Sequence, residues 1–259
     1  MLLAVDIGNS AVKCAVYDDT RSSLCRFRFA ASPARSSDEY RLLISRFLTE
    51  SDPALSVSAA VIASVVPSLT APIARAAEEI TGAKPFLIGA GTRTGFPIRI
   101  DLHAQLGADL VANVAAAKEI LAPPFVVVDL GTATTFTAVD RSGALSGAII
   151  HPGLGVSAAA LSRSAALLTE TPLSGPSALI GLNSDESIQS GLIYGHAAMI
   201  DGLIDRLWTE LSPDGEPLSL VATGGHAGQV LPYCRRSIPV VEDLTLRGAV
   251  ALYDKNRRK

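Results

Sequence analysis

The sequence predicts an α/β protein built from two duplicated halves, each a mixed sheet flanked by helices. Three observations predict it. Short apolar runs bounded by turn residues alternate with stretches of helical periodicity. The order strand, Asp, glycine-bearing turn, strand occurs twice, in "LLAVDIGNSAVKCAVY" and in "FVVVDLGTATTFTAVD". Each copy is then followed by helices, so the chain reads as a low-identity internal repeat. The division is expected near residues 113–123, giving domains 1–115 and 116–259 with no flexible linker.

The elements follow in order. Leu2 to Val5 is a buried strand, and Val12 to Tyr17 resumes the extended pattern after the turn. "DEYRLLISRFLTE" (38–50) predicts a helix with Leu42, Leu43, Phe47 and Leu48 on one face. "SVSAAVIASVVP" (56–67) and "KPFLIG" (84–89) are strands on either side of a helix over 67–82, with Ser68 as its cap and Gly82 as its stop. "AQLGADLVANVAAAKEIL" (104–121) is a long Ala-rich helix ended by Pro123-Pro124. The strand, turn, strand pattern then restarts and runs on to "LSGAIIHPG". Helices over "VSAAALSRSAALL", "SIQSGLIYGHAAMIDGLIDRLWTEL" and "LRGAVALYDK" complete the second half, with a strand "LSLVATGG" (218–225) before the last of them. Leu207 and Trp208 fit a helix face packed on the core.

Composition sets bounds. Of the 259 residues, 48% are hydrophobic and 18% charged, which is enough apolar material for a core and too much for a disordered chain. A net charge of −3 gives no electrostatic case for nucleic acid or an anionic membrane. Cys14, Cys25 and Cys234 are scattered and odd in number, so neither zinc nor a disulfide framework is implied. Asp6 interrupts the first apolar run and no apolar stretch is long enough to span a bilayer, so a cytoplasmic protein is expected.

The two turns carry the chemistry. Gly8 and Gly131, each two residues after an Asp, let the backbone come close to a ligand. Asn9 and Ser10 in the first turn, and Thr132, Thr134 and Thr135 in the second, are suited to donate to phosphate oxygens. Carboxylates repel phosphate, so Asp6 and Asp129 imply a cation between, held as magnesium is by one or two carboxylates and water. Metal, donors and a base in line are the parts phosphoryl transfer needs. Ordinary hairpin turns, in which Asp and Gly merely favour the bend, fit the same spacing. Thr223-Gly224-Gly225, after a third buried strand, adds a turn able to pass closely over a flat nucleoside. His103, His151, His196 and His226 show no ligand spacing and read as structural or surface residues.

Taken together, these turns resemble the fold of acetate and sugar kinases, actin and heat-shock chaperones. More narrowly, the chain resembles type III pantothenate kinases over nearly its whole length, in "DIGNS", "ASVVPSLT", "LGAD", "DLGTATTFTAVD", "LSGAIIHPGLGVSAAAL", "TPLSGPSALIGLNSDESIQSGLIYG", "ATGG" and "DLTLRGAVALY". The resemblance implies two ribonuclease-H-like (actin-like ATPase) domains with a cleft between them. It implies ATP-dependent phosphorylation of pantothenate to 4'-phosphopantothenate, the first step of coenzyme A synthesis. ATP phosphates then fall to Asp6, Ile7, Gly8, Asn9, Ser10, Ala11, Val12 and Lys13, with Gly131, Thr132, Thr134, Gly224 and Gly225 as further ATP contacts. Asp109, in Gly107-Ala108-Asp109, becomes the catalytic base, with Asp6 beside it for Mg2+ or its waters. Asp129 takes a monovalent cation, K+ or NH4+. The acceptor falls to Ile100, Gly107, Ala108, Asp109, Leu110, Gly153 and Ser184, in a pocket completed by the partner subunit of a homodimer.

The match is uneven. ATP-side turns are kept, whereas the acceptor side departs: Ile100 stands where members carry Tyr, the Asn-Pro pair is missing around His103, and Leu110 replaces the Arg after the base. Ser184 keeps the hydroxyl of the usual Thr. The alternative this leaves is a paralogue on the same scaffold, either altered in its acceptor or a nucleotide-binding accessory protein without turnover.

Overall fold

The structure, a computed structural model, describes residues 1–101, 106–164 and 172–257; His103 lies outside them. The chain divides into two compact units, one made of Met1–Ile120 with Leu244–Lys259, the other of Leu121–Asp243. The last helix therefore belongs with the first half of the chain, where a cut near residue 115 had grouped it with the second.

In the first unit β1 (Leu2–Ile7), β2 (Ala11–Tyr17), β3 (Ser23–Ala30), β4 (Ala59–Ser64) and β5 (Phe86–Leu87) form a sheet of order β3-β2-β1-β4-β5. The first three strands form an antiparallel meander, and β4 and β5 run parallel to β1. Every residue of β1 is buried, as expected of a strand covered on both faces. Leu3, Val5 and Ile7 join Val12, Cys14 and Val16 in a cluster with α1 (Ser37–Ser51) and α2 (Pro67–Thr81). β3 is the edge: Phe27 and Phe29 pack inward while Leu24, Arg26 and Arg28 face out, and charges on an edge discourage further pairing.

Two helix details differ from the sequence expectation. On α1 the buried stripe is Tyr40, Ile44 and Leu48, an i, i+4, i+8 series, and Leu42 is 61% exposed. The large Tyr40 ring sets the inward face and pairs with Phe29, while Phe47 stacks on Phe27. For α2 the cap is Val66 rather than Ser68, because Pro67 takes the first helical position, where its missing N–H costs nothing. Gly82 ends the helix in a left-handed conformation, as predicted.

α3 (Ala108–Ala117) and α7 (Leu244–Arg257) pack on each other, and α7 packs on β1 and β4. Their contact is close because the side chains are small: a Cβ added at Gly248 would run into the backbone of Ala112. The buried Thr245 hydroxyl donates to Asn113 Oδ1 at 2.9 Å in the same contact.

The second unit repeats the plan. β6 (Phe125–Leu130), β7 (Ala133–Val139), β8 (Leu145–Pro152) and β9 (Ser219–Thr223) stand in the order β8-β7-β6-β9, with β6–β7–β8 antiparallel and β9 parallel to β6. Residues 239–241 bond alongside Ala222 of β9, where β5 stands in the other unit. Alternate residues of β6 (Val126, Val128 and Leu130) share a cluster with α4 (Leu154–Ser164), α5 (Ser184–Leu211) and α6 (Ala227–Val230). Two sheets of matching order bear out the duplication and give the expected ribonuclease-H-like plan of mixed sheets flanked by helices.

Candidate active site

In the first unit the β1–β2 turn is closed by the Gly8 N–H donating to Ala11 O at 3.1 Å. Strand register sets Asp6 directly opposite Lys13, and Lys13 Nζ lies 3.7 Å from Asp6 Oδ2. Asp6 is only 8% exposed, so the neighbouring cation matters to its charge. Asn9 and Ser10 are exposed at the tip, and the Ser10 carbonyl ties the turn to β3 by accepting the Ala31 N–H. Ile7 and Val12 put their side chains into the core, so they have only backbone to offer a phosphate. Burial first, and Asp6 next, push the Cys14 thiol pKa up, which keeps this buried sulfur neutral.

The same region holds the expected base. Val65, just past β4, donates its N–H to Ile7 O at 3.1 Å. Its Cγ1 is 3.4 Å from where a Cβ on Gly107 would stand, and that Cβ would also fall on Asp109 Oδ1. Val65 thus joins the end of β1 to Gly107 and Asp109. Asp109 sits in the first turn of α3, where the helix dipole favours a carboxylate, and its Oδ1 accepts the Leu110 N–H at 2.8 Å. Leu110 itself is 6% exposed: its side chain is core, and its amide is what meets the site. Ala108 is buried and Ile100 half-buried.

Beside them a cavity of about 950 Å³ runs past Ser64, Thr70, Thr92, Ile98, Gly107 and Val111. It is apolar with a few hydroxyls, and no charged side chain lines it among the described residues. It lies at the carboxyl ends of parallel strands β4 and β5, where open α/β sheets bind ligands.

In the second unit Asp129, half-buried at the end of β6, is in register with Thr135 on β7 and Thr223 on β9. The turn is closed by the Gly131 N–H donating to Ala133 O at 3.0 Å, with Thr132 exposed at its tip. Gly153 donates to Thr132 O at 3.0 Å, and a Cβ there would meet the Gly131 and Thr132 carbonyls. Gly224, at φ 101°, lies against the backbone of Leu130, whose carbonyl accepts the His226 N–H. The structure so gathers Asp129, Gly131, Thr132, Gly153, Gly224 and Gly225 around one turn.

Thr134 turns away from the tip of this turn. It is fully buried, and its hydroxyl pairs with His196 Nε2 at 2.8 Å. Ser184 is exposed in the first turn of α5, on a cavity of about 730 Å³ lined by Leu161, Leu182, Ile188 and Leu192. His196, which the sequence left as a structural or surface residue, is an internal partner of the second turn. Burial first, then His151 and His226, lower its pKa from 6.5 to about 4. The signal missed was periodic: Ile193, His196, Ala197 and Ile200 form the inward stripe of α5. Val65 was missed because nothing polar marks it.

Residues 2–206 match the family model described as type III pantothenate kinase. The chain belongs to the type III pantothenate kinase family. It is 40% identical to a type III pantothenate kinase of Anaeromyxobacter sp. (strain K), over 99% of this chain and all of that one. It is 36% identical to the type III pantothenate kinase of Shouchella clausii (strain KSM-K16), again over 99% of this chain and all of the relative. Among solved structures it is similar to the ethanolamine utilization protein EutJ of Carboxydothermus hydrogenoformans, at a TM-score of 0.56 and 13% identity, over 97% of this chain and 89% of the other. That last likeness speaks to fold alone. Among the described residues no helix is long and apolar enough to cross a membrane.

Proposed function

We propose that this chain transfers the γ-phosphoryl group of ATP to the primary hydroxyl of pantothenate, giving 4'-phosphopantothenate and ADP. The family match along nearly the whole chain carries this reading. Asp109 accepts the proton of the hydroxyl as its oxygen bonds to phosphorus and the bond to the ADP oxygen breaks. In the first unit the Asp6–Lys13 turn binds phosphate, with Lys13 as a point charge and the exposed Asn9 and Ser10 as donors. In the second, Gly131, Thr132, Gly224 and Gly225 supply backbone and hydroxyl contacts to ATP. The uncharged cavity beside Gly107 receives the acceptor.

The residues present fit the expected cations. Among the described residues no three acidic, His or Cys side chains cluster, so Mg2+ would rest on Asp6, phosphate oxygens and water. A divalent ion bound with ATP supplies charge neutralisation across the transferring group. For K+ or NH4+ the donor set is Asp129 with Thr135, whose hydroxyl is buried without a hydrogen-bond partner among the described residues. We also propose a homodimer. The exposed Leu179, Ile180 and Leu182, with Leu161 nearby, form an apolar patch that supports it.

The test is ADP release by purified protein with and without pantothenate, in potassium and in sodium buffer, and with Mg2+ chelated. Release that needs all three is expected. ADP release indifferent to pantothenate would overturn the reading.

A further inference from the structure

We infer that Gly107 is a positioning residue for Asp109: it is glycine so that the Asp109 carboxylate can occupy the volume a side chain at 107 would fill. The inference rests on Asp109 being the base of the proposed reaction. A glycine usually marks a backbone that other residues resist, but Gly107 has φ −59° and ψ 135°, which any residue adopts. Its backbone does not require glycine. What requires it is space. A Cβ at 107 would fall on Asp109 Oδ1, 3.4 Å from Asp109 Cγ and 3.4 Å from Val65 Cγ1.

The atom struck is the free end of a side chain, so the backbone can stay where it is while the carboxylate swings away. Oδ1 is also the oxygen that accepts the Leu110 N–H at 2.8 Å. A methyl group at 107 therefore costs Asp109 both its place and the donor that fixes it. Helix α3 keeps its start, because Gly107 makes no side-chain cap and its φ and ψ suit alanine.

The test is Gly107→Ala, assayed alone and in an Asp109→Ala background. Misplacing a reacting group by about 1 Å costs about a hundredfold, so kcat is expected to fall by roughly that factor. KM for ATP should stay within about twofold, and the loss should sit in kcat rather than in KM for pantothenate. Alanine is a poorer N-cap than glycine, so the melting temperature should fall by a few degrees at most, and by the same amount in the Asp109→Ala background. In that background, where no carboxylate is left to collide, the activity lost to Gly107→Ala should shrink from about a hundredfold to a few-fold or less.

A raised KM for pantothenate with kcat kept would make Gly107 an acceptor contact and overturn the inference. So would equal losses in both backgrounds. Gly107→Ala that fails to fold even beside Asp109→Ala would show a structural glycine. A wild-type protein inert toward pantothenate, read first in the same assay, would remove the proposed reaction and this inference with it.

Discussion

Lys13 Nζ stands 3.7 Å from Asp6 Oδ2, on the strand that pairs with the one carrying the carboxylate. The lysine side chain is 37% exposed, and a half-solvated pair of this kind contributes at most about 1 kcal/mol to stability. Lys13→Met should therefore leave the melting temperature nearly unchanged. It should raise KM for ATP by about tenfold to a hundredfold, the loss of one charge-assisted contact of ~1.5–3 kcal/mol. Steady-state kinetics against ATP would check this; an unaltered KM would assign the lysine to the surface.

Gly248 is a packing glycine. Its missing Cβ lets α7 lie against the backbone of Ala112 on α3, and unlike Asp109 Oδ1 that backbone cannot swing aside. Gly248→Ala should destabilise the first unit by about 1–3 kcal/mol, as overpacking does. Denaturant midpoints of wild type and variant measure it directly.

The duplicated strand, turn, strand units were legible because Asp and Gly interrupt apolar runs at the same place in both halves. Gly82 was legible because a left-handed stop has few alternatives. Other features had no local signature. The end of α7 reads as an amphipathic helix, and amphipathicity does not say which sheet it will cover. Leu42 looks like a core residue until Tyr40 sets the inward face of α1. Thr134 sits in a polar run beside exposed Thr132, and only the strand's alternation turns its hydroxyl inward to His196. The role of Val65 depends on β4 lying beside β1, a pairing between distant segments that sets Leu2 against Ala59 and Ile7 against Ser64.

His196 predicts a pH dependence. Its folded pKa is depressed, from 6.5 to about 4, chiefly by burial. The folded protein keeps the ring neutral while the unfolded chain takes up a proton, so this contribution is complete above about pH 6.5 and is lost as the pH falls toward 4. One proton gives a slope of at most ~1.4 kcal/mol per pH unit. His196→Gln can still meet the Thr134 hydroxyl but does not titrate, so its stability should vary less with pH across that window. Urea midpoints at pH 4.5, 5.5 and 7 decide it; parallel curves would mean that His196 does not carry the effect.

The proposed acceptor cavity has no charged lining among the described residues. Among the described residues the carboxylate of pantothenate would have no ion-pair partner there. Pantothenol, with an alcohol in place of the acid, should have a kcat/KM within about tenfold of pantothenate, since the contact that would discriminate is worth ~1.5–3 kcal/mol where present. A preference for the acid above about a hundredfold would mean that a cation outside this cavity reads it.

The most direct measurement is product identity from ATP and pantothenate, followed by phosphorus NMR for the wild type and for Asp109→Asn. The wild type should form 4'-phosphopantothenate in step with ADP, and the variant should be slower by about 10²–10⁴-fold, the usual share of a general base. Full-rate product from Asp109→Asn, or ADP from the wild type with no phosphorylated pantothenate, would contradict the account.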